Sequence, residues 1–280
     1  MPKAQRSVTL SAVFLGITAL VAGSDARAEG QTDEAGPALT ATLSYDYTSG
    51  NYGTAYRLPA ATTSVGISWN IGENWILDVE LPYLRQTTTI NTANTTASRV
   101  VRIGGKPVVI KGTTTVATNL TTISGQGDVT ALLTRSFDSG AGPVWSVGSM
   151  VKFATANASN GLGTGKQDLS FQAGVVNDLG PWTVGATLGY TLVGQAQGLN
   201  LRNTQYAEFD SSYAISPLAS IGLSLSMSQA PVSGGPAPLA ASLSYDYKFA
   251  KNMHFVMSGL RGFSDGSPKW GAGLAVSAAF

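Results

Sequence analysis

From residue 39 onward the chain alternates apolar and polar residues with a period of two, in segments of about ten residues. Leu39, Ala41, Leu43, Tyr45 and Tyr47 alternate with Thr40, Thr42, Ser44 and Asp46. Val65, Ile67, Trp69 and Ile71 then alternate with Ser64, Gly66, Ser68 and Asn70, and after Gly72-Glu73-Asn74 the pattern resumes with Trp75, Leu77, Val79, Leu81 and Tyr83 opposite Asp78 and Glu80. Further runs fall at 127–137, 143–153, 167–177, 181–192, 206–215, 218–228, 238–249, 252–261 and 269–280, which predicts twelve strands. Short links at 71–74, 138–142, 178–180, 216–217 and 250–251 alternate strictly with long ones at 48–60, 86–126, 154–166, 193–205, 229–237 and 262–268. Short turns at one end and long loops at the other are the signature of an up-and-down antiparallel barrel that crosses a membrane.

Composition sharpens this reading. Charged residues make up 12% of the chain, against about 25% in a soluble domain, so much of the surface needs a solvent other than water. The first 28 residues account for part of the apolar content: Lys3 and Arg6 precede the apolar run Val8 to Val21, and Ala26-Arg27-Ala28 supplies small residues for cleavage. That is a secretory signal peptide, with cleavage expected near Ala28. A short periplasmic segment, 29–37, and the barrel, 38–280, follow. Without the signal segment 14 basic and 15 acidic residues remain, which excludes a basic nucleic-acid binder. Beyond residue 28 no apolar run is long enough for a transmembrane helix, leaving the closed barrel as the structure a bilayer permits. The outer membrane of a Gram-negative bacterium is the expected location, with its lipid as the surrounding partner. Trp69, Trp75, Trp145 and Trp182 beside short turns, and Tyr47, Tyr83, Phe153 and Tyr190 at the opposite strand ends, fit two aromatic belts.

Strand parity also assigns the charges. Asp46, Asp78, Glu80, Asp128, Lys152, Asp168, Glu208, Asp210, Asp246, Lys248 and His254 fall on the polar side and are expected to line a wet lumen. Acids outnumber bases there, so the wall attracts cations, unless the same carboxylates pair with Lys and Arg to fill a closed barrel; both readings stay open. The segment 86–126 carries twelve threonines, four cations (Arg99, Arg102, Lys106, Lys111) and no acid. Val100 to Ile103 and Pro107 to Ile110 flank Gly104-Gly105 as a small hairpin. It either folds into the lumen as a constriction, its cations meeting the acidic wall, or extends strands three and four into solvent. Arg135 has outward parity near a short turn, which calls for snorkelling or a bulge.

Enzyme readings find little support. His254 is the sole histidine, and no nucleophile elbow, metal-ligand cluster or phosphate-cradling loop appears, so neither a metal nor another cofactor is expected. Gly161 to Lys166 is glycine-rich but leads into no helix.

Four stretches carry a resemblance. Gly125-Gln126-Gly127-Asp128-Val129, Val151-Lys152-Phe153, Gly161-Leu162-Gly163-Thr164-Gly165-Lys166-Gln167-Asp168 and Gly262-Phe263-Ser264-Asp265-Gly266-Ser267-Pro268-Lys269-Trp270-Gly271 resemble the outer-membrane channel family called "MetA-pathway of phenol degradation", over about residues 38 to 280. The departures are the long threonine-rich segment 86–126 and Lys269, which stands where the family pattern leads one to expect an acid. The terminal Phe280 resembles the signal read by the barrel-assembly machinery. The resemblance implies a barrel passing small, aromatic molecules. The expectation is therefore a passive outer-membrane channel for small solutes, and the competing one a closed structural or interaction barrel presenting its outer loops to a partner.

Overall fold

The computed structural model describes residues 38–52, 56–72, 74–90, 99–104, 106–110, 119–138 and 142–280. The signal segment 1–28, the segment 29–37 and Lys111 lie outside the described residues. In chain order the strands are β1 (Leu39–Gly50), β2 (Leu58–Asn70), β3 (Trp75–Ile90), β4 (Arg99–Ile103), β5 (Lys106–Ile110), β6 (Asn119–Gln126), β7 (Thr130–Phe137), β8 (Val144–Lys152), β9 (Asp168–Leu179), β10 (Trp182–Leu192), β11 (Thr204–Ser216), β12 (Ala219–Ser228), β13 (Leu239–Ala250), β14 (Met253–Gly262) and β15 (Trp270–Ala279).

All wall pairings are antiparallel between neighbours, β1 pairs with β15, and the β2–β3 pairing closes the ring. Strands β6 and β7 share one place in it. Strand β6 pairs with Tyr83–Ile90 at the upper part of β3, and β7 with Trp75–Glu80 below. The wall is thus a closed antiparallel barrel of twelve strands. Strands β4 and β5 form a separate hairpin.

Two expected boundaries shift here. The segment 86–126 is not all loop, because β3 continues to Ile90 and β6 begins at Asn119; paired threonines are good strand formers even where no lipid faces them. The strand expected from residue 127 starts instead at Thr130, since Gly127-Asp128-Val129 leaves the ladder. The interruption is stitched by the chain just after β8: Phe153 N donates to Val129 O (2.8 Å), Val129 N to Thr155 Oγ1 (2.8 Å), and Thr155 Oγ1 to Gly127 O (3.0 Å).

The two faces of the wall invert the pattern of a soluble protein. Leu188 is 63% exposed and Leu43 57%, while Lys152 is 0% and Asp168 1%. Large apolar side chains stand outward on strand after strand, an arrangement that hydrocarbon solvates and water does not. Trp69, Trp75, Trp145 and Trp182 are exposed at the short-turn ends and Tyr83, Phe153 and Tyr190 at the other, whereas Tyr47 is half-buried against the Trp270 ring at 5.3 Å. Arg135 is exposed, its guanidinium 5.3 Å from the Trp75 ring and 5.2 Å from that of Phe137. Pairing on both sides of Arg135 runs without a register shift, so no bulge redirects it. A cation at the interface, spread over aromatic faces, costs little.

Depth along the wall sets the expected response to new charge. Leu223→Arg, in the middle of the exposed face of β12, should reduce folding stability in lipid vesicles by about 2 to 4 kcal/mol, and Leu179→Arg, at a strand end, by about 1 kcal/mol or less. Urea titration of refolded protein measures both; equal losses at the two positions would contradict the assigned bilayer depth.

Candidate functional site

The hairpin forms for local reasons. β-Branched residues pair across it, Val100 with Val109 and Val101 with Val108, and the chain turns tightly after Ile103, which pairs with Lys106. Gly104 takes φ +55, the left-handed value such a turn requires. Its amide then lies against the barrel's inner wall, donating to Asp168 Oδ2 at 2.9 Å. A Cβ at Gly104 would come within 2.8 Å of Thr191 Oγ1 and 3.3 Å of Ser170 Oγ, so no larger residue fits the approach.

Charge fixes the two sides of the hairpin. Arg102 Nη1 donates to both oxygens of Glu80 (3.2 and 3.4 Å), and Ser64 Oγ donates to Glu80 Oε1 at 2.6 Å. Lys106 Nζ donates to Glu208 Oε1 at 2.6 Å and sits 3.6 Å above the centre of the Tyr206 ring, whose hydroxyl donates to Gln172 at 2.8 Å. Glu80 lies on β3 and Glu208 on β11, five places apart on the ring of twelve. The hairpin therefore crosses the barrel interior instead of extending the wall upward.

A second assembly anchors the first. Lys152 Nζ, fully buried at the top of β8, reaches Asp128 Oδ2 (3.0 Å), Asp168 Oδ2 (3.3 Å), Thr164 Oγ1 (3.2 Å) and Lys166 O (3.0 Å). Asp128 Oδ1 accepts from Ala156 N (3.0 Å) and Asp168 Oδ1 from Gly194 N (2.9 Å). Two carboxylates around one ammonium leave an excess negative charge, which the backbone donors of Gly104, Ala156 and Gly194 solvate in place of water. The loop 153–167 is drawn inward with this knot: Leu162 packs with Leu84 and Ala156, and Gln86 Nε2 donates to Gly161 O at 3.2 Å. Gly163 lies so close to Asp128 that a Cβ would stand 2.9 Å from its Oδ2.

The remaining wall charges are distributed differently. Asp46 and Asp78 are buried, and Asp46 Oδ1 and Asp78 Oδ2 find no hydrogen-bond partner among the described residues. Asp210 accepts from Ser224 Oγ at 2.6 Å. Near the short-turn end of the wall Asp246 Oδ1 meets His254 Nδ1 at 2.9 Å, and Lys248 is half-buried on the neighbouring turn of the pleat. Arg99 begins β4, opposite Ile110. In the loop after β1, burial pushes the Tyr52 phenol up to about 12, so that side chain stays neutral.

Of the residues expected on the inner face, Glu80, Asp128, Lys152, Asp168 and Glu208 thus have charged partners and Asp246 has His254, whereas Asp46, Asp78 and Asp210 have no cation among those bonds. The sequence reading passed over Tyr206, although it shares parity with Glu208 and Asp210 and was accessible to the same argument. Thr164 and the Gly104, Ala156 and Gly194 amides lie in loops and turns, where period-two patterning carries no information. Among the described residues, no three His, Cys, Asp or Glu side chains are grouped so as to hold a metal.

The family described as "Putative MetA-pathway of phenol degradation" matches residues 79–280, more than half of the chain. The chain belongs to that family. The match begins within β3, so β1 and β2 lie outside the matched span, and no curated protein matches in sequence. Among solved structures, an outer-membrane channel from Pseudomonas putida F1 aligns with TM-score 0.65 at 14% identity, covering 89% of this chain and 97% of that one. NanC porin aligns with TM-score 0.55 at 9% identity over 86% of this chain and all of its own. KdgM porin gives 0.53 at 8% identity, over 85% and 99%. At such identities the likeness is one of fold. The barrel fold implies an outer-membrane location.

The knot makes a stability prediction. Lys152→Met removes the sole ammonium from two buried carboxylates and should cost about 3 to 5 kcal/mol. Adding Asp128→Asn to Lys152→Met should restore part of that loss. Denaturant titration of the refolded barrel measures each; a neutral Lys152→Met would show that the ion pairs do not hold the structure.

Proposed function

We propose that this protein is a passive outer-membrane channel for small solutes, narrowed by the β4–β5 hairpin. The observation that carries the proposal is the three-point anchorage of that hairpin inside the barrel, at Glu80, Asp168 and Glu208. A segment needed only outside the barrel has no reason to place two cations against wall carboxylates within it. Inward loops narrow water-filled barrels, and the wall charge left over then sets ion preference. Here Arg102 and Lys106 offset Glu80 and Glu208, while Asp46, Asp78 and Asp210 keep the lumen net acidic and cation-preferring. The family description extends the proposal to phenol-like aromatic solutes. Chemistry on the solute has no place in it, and the protein acts as a channel and not as an enzyme. Export through the signal peptide cleaved near Ala28 and recognition of Phe280 by the assembly machinery complete the reading, with the long loops facing outward.

A second reading has one observation in its favour. At the loop end, Leu201 pairs with Val232, Arg202 Nε donates to Ala230 O at 2.7 Å, and Val193, Ala196 and Leu201 form a small apolar cluster. Such an ordered rim suits a barrel that presents a surface to a partner. Conductance separates the two, because an interaction barrel passes no current.

Deleting Thr92–Thr118 removes the hairpin with all four cations. In planar bilayers the deletion should at least double conductance and raise cation selectivity, because a steric block and positive charge leave together. A deleted barrel that inserts and conducts like its parent would sink the constriction and leave the channel standing.

Asp78→Asn combined with Glu80→Gln should lower cation preference and leave Arg102 without its carboxylate. The reversal potential in a salt gradient reads this directly, and an unchanged value on a conducting channel would count against an acidic lumen.

A further inference from the structure

The inner wall is not equally accessible around its circumference. On β7 to β10 most inward hydroxyls are buried: Thr130 is 1% exposed, Ser146 7%, Ser170 2% and Thr191 3%, with Thr187 half-exposed. On β12 to β14 the corresponding side chains, Ser224, Ser226, Ser242, Ser244 and Ser258, are all half-exposed. They stand in register across the strands, with Ser224 opposite Ser242 and Ser244 opposite Ser258. The hairpin and the loop 153–167 make their bonds on the other side, to β3, β9 and β11 and to the break before β7. The barrel interior is therefore uneven: the hairpin and the loop 153–167 bond on one side, and on β12–β14 a band of half-exposed serines stands beside Val256 and Leu260.

From this asymmetry we infer that the solute path runs along the inner face of β12–β14, between that wall and the hairpin, and that it takes small uncharged hydroxylated solutes. The inference rests on the channel reading above and adds where the solute passes and what recognises it. A serine hydroxyl both donates and accepts, so a row of them replaces the water bonds of a solute hydroxyl without holding it tightly, as a passive path requires. Aromatic stacking is not what this face offers: the Tyr206 ring on β11 lies under Lys106, with its hydroxyl tied to Gln172. Recognition then reads the hydroxyl group of a solute, whether that group is carried by a ring or by a polyol. Asp210, bonded to Ser224, and Asp246, bonded to His254, stand at the margins and disfavour anions.

The chain has no cysteine, so single substitutions can be modified cleanly. Ser242→Cys and Ser258→Cys, with Ser146→Cys on the occupied side, are refolded and treated with benzyl methanethiosulfonate, and modification is verified by mass. Bilayer conductance and proteoliposome swelling in xylitol or gluconate are then recorded. Modification at Ser242→Cys and Ser258→Cys should reduce both conductance and xylitol swelling by about threefold or more. Ser146→Cys should resist modification or tolerate it without effect, and gluconate should enter far more slowly than xylitol. Fully modified Ser242→Cys and Ser258→Cys channels that behave like the untreated protein would overturn the path, as would a larger effect at Ser146→Cys. Equal entry of gluconate and xylitol would overturn the solute class. A parent barrel that neither conducts nor swells would remove the channel reading, and this inference with it.

Discussion

The placement of everything inside the barrel depends on one buried contact, the Lys152 ammonium between Asp128 and Asp168. An ammonium and two carboxylates out of water are stable only while each remaining lone pair and proton finds a partner. That requirement recruits the surroundings. Asp128 leaves the β-ladder to reach Lys152, which explains the interruption between β6 and β7. Thr164 and the Lys166 carbonyl turn inward to take the other ammonium protons, and this pulls the loop 153–167 over the wall. The second oxygen of each aspartate and the surplus charge draw in the amides of Ala156, Gly194 and Gly104. The Gly104 amide belongs to the hairpin tip, so a contact at the rim of β8 decides where a segment much earlier in the chain comes to rest.

The hairpin is held unevenly as a result. Its tip bonds to a fully desolvated carboxylate, Asp168, while Arg102 pairs with Glu80, itself held by Ser64, and Lys106 pairs with Glu208 while lying over the Tyr206 ring. The positive charge of this segment thus serves two ends at once. It neutralises two acids that would otherwise be buried unpaired, and it holds the hairpin backbone within the barrel interior. The serines of β12–β14 stay half-exposed.

Three of the four stretches that resemble the family converge on the knot. The aspartate of Gly127-Asp128-Val129, the lysine of Val151-Lys152-Phe153 and the aspartate closing the glycine-rich loop are its three charges. The glycines of that loop, which in another context suggest a phosphate cradle, here let the backbone approach a carboxylate: Gly163 packs against Asp128. In this chain those three stretches thus supply the charges that organise the interior.

The barrel was legible from the sequence because lipid and lumen impose a period of two on every strand. Parity placed Leu43, Val65 and Leu81 outward and Glu80, Lys152 and Glu208 inward without reference to any neighbour, and alternating link lengths ordered the strands. Arg102 and Lys106 were legible as cations lacking an acid nearby in sequence, with two destinations open. What parity says nothing about is which inward charge meets which, since that depends on curvature, stagger and the path of loops with no repeating pattern. The pairing of Lys152 with Asp128 and Asp168, the departure of residues 127–129 from the ladder, and the arrival of Gly104 at Asp168 were decided by the tertiary structure. A buried charge takes the partner that closure of the barrel brings within reach, and closure is a property of the whole ring.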